Sequence, residues 1–147
     1  MRSQWSLAVA VVFAAGLGAQ ADEAPVGYVK TLAGTATVTH GALANAASLG
    51  MPVYQQDRLE TGSDGELGVT FRDNTRISLG PDSRVELRRF VFKPAVEEYG
   101  FILRLAYGTL EYLSGLTAKL APGAMSIETP GFTVGARGTR LLVRTEK

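Results

Sequence analysis

The sequence predicts an all-β domain, a compact stack of short strands. Three observations predict it. Apolar and polar residues alternate with a period of two through the central third of the chain. Val, Ile, Thr, Phe and Tyr crowd the alternating stretches, and Gly, Pro and Asp cut them into short lengths. Helical spacing fits none of these central segments. The strands are expected to stack as a solenoid-like pile or to face one another as a two-sheet sandwich, and the pattern leaves both open.

In chain order, residues 1–21 come first. Arg2 is followed by an apolar run from Leu7 to Leu17 and by Ala19-Gln20-Ala21, the small-residue pattern of a signal-peptide cleavage site. A removable secretory signal over 1–21 is therefore expected, with one domain after it. Tyr28–Leu32 and Thr35–Thr39 read as strands divided by Ala33-Gly34. Ala42–Leu49 reads as a loop or one helical turn. Leu67, Val69 and Phe71 then alternate with Glu66, Gly68, Thr70 and Arg72, Ile77 and Leu79 with Arg76 and Ser78, and Val85 and Leu87 with Arg84, Glu86 and Arg88. Asp64, Asp73 and Asp82 mark turns nine residues apart. Ala95–Gly100 reads as a connection, and Phe101–Leu105 and Gly108–Leu113 as two further strands. Ser114–Gly123 suits a short helix closed by Pro122-Gly123. Met125–Glu128, Phe132–Val134 and Leu141–Val143 complete the strand set.

Composition narrows the function. Arg2 apart, 14 basic side chains balance 14 acidic ones, so no concentrated basic face speaks for nucleic acid. Without cysteine there is no disulfide or thiolate metal site, and the single histidine, His40, excludes a His-based zinc site. No Gly-x-Ser-x-Gly is present for a serine nucleophile. The aspartate spacing resembles calcium-binding β-rolls, but those need Gly-Gly-x-Gly-x-Asp in each repeat, and here the neighbours are Ser63, Arg72 and Pro81; turn-forming aspartates explain the spacing without a metal. No catalytic residue, cofactor or metal is expected.

Four motifs appear in order: Asp57-Arg58-Leu59-Glu60-Thr61-Gly62-Ser63-Asp64-Gly65, Phe71-Arg72-Asp73-Asn74-Thr75-Arg76-Ile77-Ser78-Leu79-Gly80-Pro81-Asp82-Ser83, Leu105-Ala106-Tyr107-Gly108-Thr109-Leu110 and Thr129-Pro130-Gly131-Phe132-Thr133-Val134-Gly135-Ala136-Arg137-Gly138-Thr139. Together they resemble the FecR domain, over about residues 26–143. The resemblance implies a periplasmic all-β domain of the Gram-negative envelope. In the ferric citrate regulator such a domain passes a signal from an outer-membrane transporter to an anti-sigma segment. This chain shows a signal-like start in place of that segment and no internal membrane helix. The reading is an exported, non-enzymatic module that binds or scaffolds an envelope protein. A sensor component of cell-surface signalling and a cell-wall or polysaccharide binder are the alternatives.

Thr129 and Pro130 mark a strand start or sheet edge. Gly135 and Gly138 allow a tight path around Arg137, whose guanidinium offers five donors; Thr139 ends the motif. Arg137 is expected to clamp an acidic turn at Asp57, Asp73 or Asp82, with contact to a partner as the alternative. Tyr107, Tyr112, Arg84 and Arg88 are candidate surface contacts for a protein or a glycan.

Overall fold

Alternation turns into burial along strand after strand in the computed structural model, which describes residues 23–147. The expected signal segment, 1–21, lies outside the described residues. Strands β1 (Gly27–Ala33), β2 (Ala36–His40), β3 (Leu43–Ala46), β4 (Pro52–Val53), β5 (Arg58–Thr61), β6 (Glu66–Phe71) and β7 (Arg76–Leu79) are short. They are followed by β8 (Arg84–Lys93), β9 (Glu98–Leu113), helix α1 (Leu116–Leu120), β10 (Met125–Glu128), β11 (Thr133–Gly135) and β12 (Arg140–Thr145). The inward positions read from the sequence, Leu67, Val69, Phe71, Ile77, Leu79, Val85 and Leu87, are all buried.

The strands form one curled, largely antiparallel sheet. One wall runs β4–β1–β6–β7 onto the C-terminal half of β9, with β12 on its far side. The other runs β3–β2–β5–β8 onto the N-terminal half of β9, with β10 and β11 beyond. Strand β9 belongs to both. The architecture keeps the facing walls of a sandwich but joins them through shared backbone, and no strand stack among the described residues climbs as a solenoid. Phe71 from one wall meets Phe90 and Phe101 from the other, at ring-centroid distances of 5.9 and 4.8 Å. Edge-to-face and offset aromatic packing of this kind joins the two walls in one buried cluster.

Three other strand pairs are broken where β9 bends: β1 and β2 at Gly34, β5 and β6 at Gly62–Gly65, β7 and β8 at Gly80–Ser83. The breaks line up as a crease. At Gly108 the backbone φ is +96°, and a Cβ there would collide with the Cα and side chain of Ser83. Glycine is the residue that permits both the angle and the approach.

Two expectations are corrected. Ala42–Leu49 contains β3 rather than a helical turn, because Thr37–His40 offers it an open edge on which to pair. The two strands expected at Phe101–Leu105 and Gly108–Leu113 are one 16-residue strand, which also absorbs the end of the Ala95–Gly100 connection. Arg88 and Arg89 are both exposed although adjacent, because the register of β8 on β9 shifts between Leu87 and Arg89 and so turns Phe90 inward.

Candidate functional site

Three of the four motifs build the crease and the turns, and their buried polar side chains Asp57, Thr61, Asp73, Thr75 and Ser83 find hydrogen-bond partners within the fold. Thr61 donates its hydroxyl to the Gly80 carbonyl at 2.6 Å and accepts the Ser83 N–H at 3.0 Å. Ser83 Oγ accepts the Thr109 N–H at 2.9 Å. Asp57, almost fully buried, accepts the Tyr54 N–H at 2.8 Å and lies 2.5 Å from His40 Nδ1. Asp73 is wholly buried and accepts the Thr75 N–H at 3.0 Å, the Thr75 hydroxyl at 2.8 Å and the Thr117 N–H at 3.3 Å. It thereby pins α1 to the β6–β7 turn. Asn74 in that turn takes a left-handed φ of 67°.

The fourth motif differs. Thr129 folds it over: its hydroxyl donates to the Phe132 carbonyl at 2.9 Å and accepts the Phe132 N–H at 3.0 Å. Thr129 itself is buried, while Pro130 and Gly131 are exposed at the tip of the turn and Phe132 remains 50% exposed. Strand β11 follows and, among the described residues, pairs with β10 alone. Ala136 is fully buried and anchors the segment, leaving Gly135, Arg137, Gly138 and Thr139 in solvent. The Thr139 carbonyl accepts the Ser114 N–H at 2.9 Å.

The expected clamp is therefore corrected. Arg137 is exposed and forms no ion pair among the described residues, while Asp57 and Asp73 spend their oxygens on other donors. Two surface assignments also change. Tyr112 is fully buried, and burial, then the nearby Asp73 carboxylate, pushes its phenol up to about 12. Tyr107 is half-buried, with the Arg84 guanidinium 5.3 Å and the Lys147 ammonium 4.9 Å from its ring centroid. Its face is already covered by cations, so the pair offers no open aromatic platform for a sugar. Arg84 also reaches Glu60, and Arg88 is exposed and pairs with Glu86 at 3.1 Å. No hydrogen bond or ion pair among the described residues links Arg84, Arg88 or Tyr107 to the segment at Thr129–Thr139.

With this geometry in view, the comparisons decide the family. The model described as FecR protein matches residues 57–147, more than half of the chain. The chain belongs to the FecR family. Neither curated proteins nor solved structures gave a match. FecR domains serve regulation and signalling, so this FecR-family domain is a signalling-related module. No helix among the described residues is long and apolar enough to cross a membrane.

Sequence reasoning missed two features of the site. The exposure of Phe132 was hidden because its flanks, Gly131 and Thr133, suit a core strand equally well. The union of His40 with Asp57 spans 17 positions and two strands, and only the pairing of β2 with β5 brings the two together.

Proposed function

We propose that this domain is an exported, non-enzymatic binding module that docks an envelope protein through Thr129–Thr139 and the free edge of β11. The observation that supports it is one contrast. Three family motifs are consumed in holding the crease and turns, whereas the fourth turns Phe132, Arg137 and Thr139 to solvent. Docking of this kind has a clear physical basis. The outer N–H and C=O groups of β11 extend the sheet onto an incoming strand, Phe132 supplies an apolar anchor, and Arg137 supplies a fork for a carboxylate. The signal at 1–21 is read as directing the chain to the periplasm or outside the cell.

The test uses a photo-crosslinking residue at Phe132 or Arg137, with Lys30 and Arg89 as controls, in cells producing the whole chain. One discrete protein adduct from the first two positions and none from the controls is expected. Arg137→Ala should change unfolding stability by less than about 0.5 kcal/mol, as for a surface residue without a partner, yet weaken the adduct from Phe132. Equal adducts at all four positions would refute the assignment. Family membership favours a second reading, a sensor component of cell-surface signalling. On that reading, deleting the gene changes the output of an envelope-signalling reporter, and Arg137→Ala reproduces the change.

A further inference from the structure

His40 closes β2 at the edge of a cleft of about 680 Å³. Its Nδ1 meets Oδ1 of the buried Asp57, and its ring leans on Tyr54 with centroids 5.0 Å apart. Asp57 is held rigidly, since its second oxygen takes the Tyr54 N–H and its backbone carbonyl takes the Leu87 N–H at 2.9 Å. A carboxylate facing Nδ1 keeps a proton on that nitrogen in both states of the ring. Protonation therefore adds its proton at Nε2, which stands 3.9 Å from the Glu23 carboxylate. The neutral ring presents Glu23 with a lone pair; the charged ring presents an N–H and a positive charge.

The other charged groups around the cleft do not duplicate this role. Arg58 from β5 is committed to Glu60 at 2.6 Å, and Arg88 from β8 to Glu86 at 3.1 Å. Behind the ring stand Asp57 and Tyr54. From Val26 onward the chain is fixed by backbone bonds, Val26 N–H to the Val53 carbonyl at 2.8 Å and Arg72 N–H to the Val26 carbonyl at 2.9 Å. What His40 can hold or release is the stretch Glu23–Pro25.

We propose that His40 is a proton-operated latch: protonated, it holds Glu23 and the entry stretch of the domain against the corner between β2 and β5, and neutral, it releases them. Asp57 raises the pKa of His40 above the usual 6.5, chiefly through the hydrogen bond; burial opposes this and the charges of Asp57 and Glu23 add to it. The latch is thus closed at pH 6 and opens as the pH climbs through the raised value. It governs how closely the stretch Glu23–Pro25 runs to the cleft.

The chain's one histidine makes the test direct. His40 is titrated by proton–nitrogen nuclear magnetic resonance in protein purified after expression of the whole chain. Order parameters of the Glu23 and Ala24 amides are followed over the same pH range. The expected results are a His40 pKa above 6.5 and order parameters that fall as the pH passes it. In Glu23→Gln the pKa drops, each unit lost corresponding to a tenfold weaker latch. In both Glu23→Gln and His40→Gln the order parameters stay low at every pH. Asp57→Asn, at a buried site, is informative only with a parent-like far-ultraviolet spectrum; Glu23→Gln, at an exposed one, carries the test without it. A His40 pKa at or below 6.5, an unchanged pKa in Glu23→Gln, or amides indifferent to pH overturns the latch.

Discussion

Replacing Asp73 by alanine tests whether the second motif is a folding device. The carboxylate has no exposure to water and accepts three hydrogen bonds, two from Thr75 and one from the Thr117 N–H, 44 positions away. Bonds to a charged acceptor are worth about 1.5–3 kcal/mol each, the longest of the three, at 3.3 Å, taking the low end. Alanine strands the donors but also removes a charge that was costly to bury, so the net loss falls near 3–5 kcal/mol. That is a large part of the roughly 5–15 kcal/mol of a whole domain, and it lowers the melting temperature by about 10–15 °C. Asp73→Asn keeps one acceptor oxygen and is expected to cost about 1–2 kcal/mol. Urea unfolding, followed by the far-ultraviolet strand band, is the assay, because the single tryptophan, Trp5, falls in the expected signal segment, 1–21. Both variants should share the parent's m-value. An alanine variant within about 1 kcal/mol of the parent, or an asparagine variant as damaged as the alanine one, would refute the ledger.

Two further predictions concern the crease and the core. Gly108→Ala is expected to cost about 3 kcal/mol or more, since backbone strain and the collision with Ser83 add. Gly41→Ala, also at positive φ but with nothing within 4 Å of its Cβ, should cost only about 1 kcal/mol by the same denaturation measurement. Tyr112 holds its proton in the fold up to about pH 12, whereas an unfolded tyrosine releases it near 10. Its contribution is complete below pH 10 and is lost as the pH rises toward 12, by on the order of 2–3 kcal/mol. Stability measured against pH for parent and Tyr112→Phe should show this extra alkaline slope in the parent alone.

Much of the fold was legible where burial has one side. Leu67, Val69 and Phe71 announce β6 because one face of that strand meets the core and the other meets water. Legibility fails where the pattern carries no such contrast. Leu43–Ala46 is exposed at every residue, so its strand character comes only from the edge it pairs with. Gly108 reads as a break, whereas β9 passes through it by adopting an angle barred to other residues. In the candidate site, the four motifs were visible as strings, but their division of labour was not. Asp57, Asp73 and Arg137 look alike as charged residues beside turns. Only the fold separates two buried acceptors from one exposed cation. Tyr112 misled for a related reason: Glu111 and Leu113 flank it evenly, and the inward face of β9 is set by partners far along the chain.

The sharing of β9 between both walls has a mechanical consequence. The turn at Pro94–Glu97 joins two long strands at the molecule's periphery, so a protease nick there leaves every ladder whole and the two pieces clasped together. A nick at Gly108 cuts the one described strand that belongs to both walls, which then hold together through the β1–β2, β5–β6 and β7–β8 connections and the aromatic core.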